Sequence, residues 1–336
     1  MKRAIEIFLL TAMLAVGPFA RKDTPEAWHD PSPHQVQFVT VQPGVRLEVL
    51  DWGGTGRAVV LLAGSGNTAH VFDEFAPKLR QFCHVYGITR RGYGISSHPD
   101  SGYSEQRLAE DVLQVMGQLK LEKPVLMGHS MSGEEMTRLG DEHSDRLAGL
   151  IYMDAASDPK DFPGSSPAYL ELFKKLPEAT RTRPDPTDAD MKSFHAYYEW
   201  QLQNRDAPFP ESELRNQFDE NPDGSVGEFK TSDQIHRAVG DGAQQRDYSR
   251  IRVPILAFFP AIGGDSKYQP KNDTERAAIK AFNDATAVYV NRYKQSLVKA
   301  PGGVKIVDLQ RANHYVFLTN ESDVLRETQL FLAGLK

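Results

Sequence analysis

The chain has 336 residues and a single cysteine, Cys83. One cysteine excludes an intrachain disulfide and any zinc or iron–sulfur site held by several cysteines. Long apolar runs are missing as well: none reaches the ~20 residues of a membrane-spanning helix, so no integral membrane span is expected. The formal net charge of −6 leaves no basic excess for nucleic acid or anionic lipid. With 40% hydrophobic and 25% charged residues, the composition indicates an ordinary globular protein without a nucleic-acid partner.

The first twenty residues differ from the rest of the chain. Lys2 and Arg3 precede an apolar stretch at residues 7–16, and small residues follow up to Ala20. This order is typical of a secretory signal peptide at residues 1–20. We therefore expect a mature chain from about Arg21 in the periplasm or outside the cell. The alternative is an N-terminal helix packed on the domain and, without cleavage, a cytoplasmic protein.

Strand and helix patterns alternate through most of the remaining sequence. Apolar runs without alternation, such as residues 58–63, indicate strands that are buried on both faces. Repeated alternation after an antiparallel start predicts an α/β fold with a mostly parallel sheet and helices on both faces. The core domain is expected at residues 35–155 and 252–336. The predicted strands are 35–41, 45–51, 58–63, 84–89, 124–127, 150–153, 253–259 and 304–309, and helices are predicted at 71–82, 104–119, after Ser130, and at 322–335.

Residues 156–251 interrupt this alternation. They contain no clear core strand and are rich in proline, aspartate and aromatic residues. We interpret them as a helical insertion that covers the carboxyl ends of the strands as a cap. Its aromatic residues Tyr197, Tyr198 and Trp200 are predicted to bind substrate; packing in the core of the cap is the alternative.

The strongest chemical signal is the segment from Gly128 to Gly133, with the sequence Gly-His-Ser-Met-Ser-Gly, between an apolar strand and a helical pattern. A serine on such a sharp turn is exposed above the sheet, and the residues two positions away must be small. Gly128 and Ser132 meet that requirement. Ser130 is therefore the candidate nucleophile. The acidic pair Glu134 and Glu135 is interpreted as favourable charge at the start of the helix. The alternative is a glutamate that points into the pocket and disfavours anionic substrates.

A serine nucleophile needs a base and an orienting acid. His314 follows the last core strand and is the candidate base, whereas His129 is expected to pack structurally. Two carboxylates lie between Ser130 and His314 in the chain, as the order serine, acid, histidine requires. Asp154 stands directly at the end of its strand, and Asp265 lies further beyond its own.

The stabilisation of an oxyanion needs two backbone N–H groups. Met131, directly after the nucleophile, offers one at the start of its helix. The other is expected from Ser65 in the glycine-rich loop after the third strand, where Gly64 allows a close approach. The loop lacks the lysine and hydroxyl pair of a phosphate-binding loop and does not match the dinucleotide fingerprint.

With these motifs the chain resembles the α/β-hydrolase superfamily in its capped, single-domain branch, over residues 35–336. The turn Arg90–Ser96 is similar to the Arg-Gly-x-Gly-x-Ser turn that follows the fourth strand there, which implies structural roles for Arg91 and Gly92. Residues 151–155 resemble the end of the sixth strand in haloalkane dehalogenases, where some members keep their catalytic carboxylate. This likeness favours Asp154 over Asp265.

Dehalogenases and epoxide hydrolases of this fold use an aspartate nucleophile, whereas the turn here holds Ser130. The resemblance therefore implies a serine hydrolase that cleaves an ester or related acyl bond of a small, mainly apolar molecule, without a metal or organic cofactor. Two alternatives stay open. One is other serine chemistry on this fold: hydrolysis of a lactone, amide or carbon–carbon bond, or cofactor-free peroxidation. The other is a protein that binds a small molecule without turnover.

Overall fold

Apolar strands in the sequence form one eight-stranded sheet in the computed structural model, which describes residues 28–263 and 268–335. The expected signal peptide and Asp265 lie outside the described residues. The strands are β1 Gln35–Gln42, β2 Val45–Gly53, β3 Ala58–Leu62, β4 His84–Ile88, β5 Val125–His129, β6 Gly149–Met153, β9 Ile255–Pro260 and β10 Val304–Leu309. Two further strands, β7 Phe218–Glu220 and β8 Val226–Phe229, form a separate antiparallel pair.

The order of the large sheet is β1-β2-β4-β3-β5-β6-β9-β10. β2 pairs antiparallel with β1 and β4, and all later pairs are parallel. All residues of β5 and β6 are buried, as expected for central strands that are covered on both faces. The carboxyl ends of the parallel strands meet at one edge of the sheet, so the loops after β3, β5, β6 and β10 come together there. The predicted α/β fold is confirmed.

Helices cover both faces of the sheet. The helices are α1 Ala76–Leu79, α2 Glu105–Gln118, α3 Gly133–His143, α4 Pro167–Lys174, α5 Glu178–Arg181, α6 Phe194–Asn204, α7 Glu211–Gln217, α8 Asp233–Gly242, α9 Asp273–Leu297, α10 Val316–Thr319 and α11 Glu321–Gly334. Residues of α2, α3 and α9 belong to one large buried cluster, and residues of α1, α10 and α11 belong to a second. Among the described residues, none of these helices has the length and apolar character that a bilayer crossing requires.

The helix predicted at residues 71–82 is two short pieces instead. A 3₁₀ turn covers Ala69–Phe72, with Asp73 as its C-terminal cap. The α-helix α1 then begins with Pro77 in its first turn, where a missing backbone N–H does no harm. The apolar spacing that suggested one helix comes from residues of both pieces packing into the same cluster.

Residues 156–251 contain α4–α8 and the β7–β8 pair, so the expected helical insertion also holds a small hairpin. Phe194, Leu214 and Val226 form a buried cluster inside this segment. The helix α7 contacts the core through polar groups: Ser212 Oγ donates to Asp73 Oδ2 at 2.6 Å, and Glu213 accepts from the loop after β3. The boundaries of the cap as a domain stay a prediction.

Candidate active site

Ser130 lies on a strained turn between β5 and α3. Its backbone φ is +56°, in the left-handed region that non-glycine residues rarely adopt. Close packing explains the small neighbours. A Cβ added to Gly128 would lie 2.3 Å from Met136 Sδ, and one added to Gly133 would lie 1.8 Å from the Ala155 carbonyl oxygen. Ser132, where the usual motif has glycine, is fully buried and turns its hydroxyl back to donate to the His129 carbonyl at 2.9 Å.

His314 lies between Ser130 and Asp154. Its Nδ1 is 2.7 Å from Asp154 Oδ2, and its Nε2 is 2.9 Å from Ser130 Oγ. A carboxylate only accepts hydrogen bonds, so Nδ1 carries the proton and donates a hydrogen bond to Asp154. The lone pair of Nε2 then faces the serine hydroxyl. Asp154 follows β6 directly with a φ of +47°, next to the strand that carries Ser130. Asp265 is outside the described residues, and the structure therefore says nothing of its distance from His314.

His129 contacts both the ring and the backbone of the candidate base, His314. Its ring is buried and lies 4.5 Å from the ring of His314, centre to centre. Its Nε2–H donates to the backbone carbonyl of His314 at 3.0 Å. Burial and the nearby His314 lower the pKa of His129 well below its usual range, so the ring is neutral. The sequence predicted a packing role for His129. Its hydrogen bond to His314 adds a positioning role, which the residues around His129 in the sequence did not indicate.

The loop after β3 passes close to the nucleophile. A Cβ on Gly64 would lie 3.0 Å from Ser130 Cβ, so glycine allows the close approach expected from the sequence. Asn67 N–H donates to the Gly64 carbonyl at 3.4 Å, which closes a turn around Ser65. Met131 directly follows Ser130 in a short 3₁₀ turn that leads into α3. The candidate oxyanion donors of Ser65 and Met131 thus belong to backbone on two sides of the serine.

The acidic pair after the turn has a different role from the one inferred from the sequence. Glu135 is buried and forms an ion pair with Arg90 at 2.6 Å, and Arg90 Nη2 donates to the Ala63 carbonyl at 3.1 Å. Through Arg90, Glu135 therefore holds the start of the loop that contains Gly64, in addition to its favourable interaction with the helix dipole. Glu134 is buried as well, which raises its pKa to about 7 against the charge of Arg246.

The neighbouring turn confirms the structural roles implied for Arg91 and Gly92. The Arg91 guanidinium is buried and binds Asp111 with two contacts, at 2.6 and 2.7 Å, and Gly92 has a φ of +78°. Such a φ favours glycine.

Glu213 is a residue of the site that the sequence analysis missed. Its carboxyl comes from cap helix α7 and is completely buried. It accepts hydrogen bonds from Asn67 Nδ2 at 2.9 Å, from Thr68 N–H at 3.0 Å and from the Thr68 hydroxyl. Burial raises the pKa of Glu213 to about 7, although these hydrogen bonds oppose the shift. No local sequence pattern could have indicated a contact across 146 residues.

A cavity of about 540 Å³ lies between the cap and the loops of the site. Tyr197 lines it, and its role in binding substrate stays a prediction. Trp200 is 8% exposed and stacks behind Tyr197 with ring centres 5.7 Å apart, and Tyr198 packs on the cap cluster. Of the three predicted aromatic residues, only Tyr197 is on the described wall. The lining residues are Ser65, Gly66, Asn67, Arg183, Tyr197, Gln201, Arg205, Asp206, Ala207, Phe209, Gln217, Phe218, Phe229, Asn313, His314 and Tyr315.

Comparison with known proteins agrees with this fold. The model of the alpha/beta hydrolase family matches residues 59–327, most of the chain. The chain is 28% identical over 164 residues to a fluoroacetate dehalogenase of a Burkholderia species, across 47% of this chain and 46% of that protein. It is 29% identical over 136 residues to the N-formylmaleamate deformylase of Pseudomonas putida, across 39% of this chain and 51% of that protein. The aligned parts thus span about half the length of these curated relatives.

Solved structures show the same fold at low identity. The crystal structure of an E-2-(acetamidomethylene)succinate hydrolase superimposes with a TM-score of 0.61 at 16% identity, and covers 90% of this chain and 100% of that one. A marine microorganism esterase superimposes with a TM-score of 0.56 at 21% identity, and covers 85% and 98%. At these identities the likeness shows the fold alone.

Proposed function

The chain belongs to the alpha/beta hydrolase family, and we propose that it is a serine hydrolase that cleaves an ester or related acyl bond of a small molecule. One observation carries the proposal: Ser130 Oγ lies 2.9 Å from His314 Nε2, and Asp154 holds the opposite ring nitrogen at 2.7 Å. The carboxylate keeps the proton on Nδ1, so Nε2 is free to take the serine proton.

The reaction proceeds in two steps. Ser130 Oγ attacks the acyl carbon while its proton moves to His314 Nε2. The N–H groups of Ser65 and Met131 stabilise the oxyanion, and the protonated imidazole returns the proton to the leaving group. Water then attacks the acyl-enzyme in the same way, with His314 as base, and releases the acid and free Ser130. Every atom comes from the substrate, the protein or water.

A serine at this turn favours acyl transfer over displacement at a saturated carbon. Displacement of a halide by Ser130 would produce a serine ether, which water and an imidazole do not hydrolyse. A carboxylate nucleophile would instead produce an ester that water can cleave. The acyl-serine formed from an ester or amide substrate is such a cleavable ester. A serine nucleophile therefore argues against halide displacement by this chain.

The direct test is labelling with a fluorophosphonate probe, followed by mass mapping of the modified residue. We expect an adduct on Ser130 that is lost in Ser130→Ala and strongly slowed in His314→Ala. Ser132→Ala is the matched control, because Ser132 lies on the same turn but donates to the His129 carbonyl. That variant should still be labelled.

Labelling that persists in folded Ser130→Ala would contradict the proposal. The absence of an adduct on the folded wild-type protein would also contradict it, and would favour binding of a small molecule without turnover. After a positive result, hydrolysis of 4-nitrophenyl esters of increasing chain length would define the acyl group.

A further inference from the structure

The cap side of the cavity is lined by side-chain hydrogen-bond donors that have no acceptor among residues 28–263 and 268–335. Three side chains share this property: Arg183, Arg205 and Gln201. Among the described residues, no carboxylate lies within ion-pair distance of either guanidinium. Two cations and a buried amide N–H₂ group in one half-enclosed space constitute a site for an acceptor that carries negative charge.

Arg205 is half-buried and held in place by aromatic packing. Its guanidinium carbon lies 4.8 Å from the centre of the Trp200 ring. Trp200 in turn stacks on Tyr197, which lines the cavity. This cation–π contact restricts the Arg205 side chain without using its N–H groups as hydrogen-bond donors, so these can bind an anion. Trp200, predicted to bind substrate, thus orients a cation at the wall instead.

Gln201 supplies an independent observation. The residue is 3% exposed and lines the cavity. Its Oε1 accepts from the Phe209 N–H at 3.4 Å, which assigns the orientation of the amide because an N–H needs an acceptor. The remaining Nε2 is buried and has no partner in the described part of the protein. A buried donor without an acceptor is unfavourable unless a ligand supplies one.

Arg183 brings its charge to the loop of the candidate base. Burial raises the pKa of the neighbouring Tyr315 to about 12, and the positive charge of Arg183 opposes that shift. Arg183, Tyr315 and His314 all line the cavity, so the cation shares it with the candidate base. The carboxylate on the described wall is Asp206, which is exposed and already has an interaction of its own. Glu134 and Glu135 do not line it.

We propose that Arg183, Arg205 and Gln201 form a carboxylate-binding subsite, so that the substrate is a small acyl compound with a free carboxylate. The proposal rests on the proposed function and replaces the mainly apolar substrate expected from the sequence. The carboxylate accepts from the two guanidinium groups and from Gln201 Nε2. The acyl bond to be cleaved lies at Ser130, whose Oγ is 2.9 Å from Nε2 of His314 on the cavity wall.

Two esters that differ only at the end of the acyl chain test the proposal: 4-nitrophenyl hydrogen adipate and 4-nitrophenyl hexanoate. The six-carbon chain prevents fast attack of the carboxylate on its own ester. The measured quantity is the ratio of kcat/KM for the anionic ester to that for the neutral one, which cancels general damage to the site. Arg205→Gln and Arg183→Gln should each lower this ratio about tenfold or more, mainly through KM. Added salt should lower it in the wild type.

Arg237→Gln is the matched control, because Arg237 is an exposed arginine of cap helix α8 that does not line the cavity. Its ratio should equal that of the wild type. Hydrolysis of the neutral ester with a ratio that neither arginine variant changes would overturn the subsite and leave the serine hydrolase proposal intact. Failure of fluorophosphonate to label Ser130 would overturn both.

If Ser130 is labelled but neither ester reacts, the subsite is tested by how well added ligands protect Ser130 from the fluorophosphonate probe. Adipate dianion should slow labelling of the wild type more than dimethyl adipate does, and Arg205→Gln should abolish the difference. Equal effects of the dianion and the diester would overturn the subsite.

Discussion

The buried carboxyl of Glu213 should make the stability of the fold depend on pH, and its replacement by glutamine should remove that dependence. The folded protein holds this proton up to a pH of about 7, whereas the unfolded chain loses it near the ordinary value of 4.5. The unfolded state therefore releases its proton first as the pH rises. The free energy of unfolding falls between pH 4.5 and about 7 and stays low above that range.

The gap between these two values corresponds to about 3 kcal/mol, because a tenfold change in an acid constant is worth ~1.4 kcal/mol. Glutamine has the shape of protonated glutamate and does not ionise. Its Oε1 can accept from Asn67 and the Thr68 N–H, while its Nε2 donates to the Thr68 hydroxyl. Relative to the wild type, Glu213→Gln should therefore gain about 3 kcal/mol between about pH 5 and about pH 8.5.

Urea unfolding of both proteins at several pH values measures this difference, and other titrating groups cancel in it. Glu122→Gln controls for the loss of one negative charge at an exposed position. Glu213→Ala should instead lose ~3–5 kcal/mol near pH 4.5, because the donors of Asn67 and Thr68 are left buried without an acceptor. This loss should shrink by about 3 kcal/mol above about pH 8, since alanine does not ionise either. A constant difference between wild type and Glu213→Gln across the range would refute the reasoning.

Three other predictions concern the site. Gly128→Ala should destabilise the protein by ~1–3 kcal/mol or more and slow labelling of Ser130, since the added Cβ would lie 2.3 Å from two neighbouring side-chain atoms. Gly117→Ala is the control, because this helical glycine has no atom within 4 Å of the added Cβ, and it should not destabilise the protein. Asp154→Asn should lower kcat on a reactive ester by about 10⁴ without changing the urea midpoint; a loss below tenfold would exclude it as the acid. Glu135→Gln should lose ~3–5 kcal/mol in urea unfolding by leaving the Arg90 charge buried, and the double variant with Arg90→Gln should lose less; additive losses would contradict a paired role.

Local rules predicted the sheet and the serine turn well. The residues of β5 and β6 are apolar without alternation, and both strands are buried on both faces. Gly128 indicated a crowded turn, and the positive φ of Ser130 is the strain that such a turn produces. These features depend on residues within a few positions of one another, so a local sequence pattern is enough to predict them.

Contacts between distant segments could not be predicted in this way. Glu213 and Asn67 are 146 residues apart, and nothing in the sequence around either one indicates its partner. Glu135 has the appearance of a helix N-terminal charge until Arg90, on another loop, is placed beside it. Trp200 was expected at the substrate because it is aromatic, but its place behind Tyr197 depends on how the cap packs.

The way the cap is attached connects it to both catalytic loops. Burial opposes ionisation of Asp73, yet hydrogen bonds from His34, His70 and Ser212 hold its pKa well below its usual range. This anchor of α7 stays charged, while the adjacent anchor, Glu213, takes a proton.

Asn67 carries the connection further: its Nδ2 donates to Glu213, and its Oδ1 accepts from the Tyr315 hydroxyl at 3.2 Å. One amide thus joins the cap to the loop of Ser65 and to the residue after His314. Ionisation of Glu213 strengthens its attraction for the donors of Asn67 and Thr68, and the nearby His70 favours it, but burial of the charge outweighs both effects. The contact that positions the loop beside Ser130 therefore also makes the attachment of the cap depend on pH.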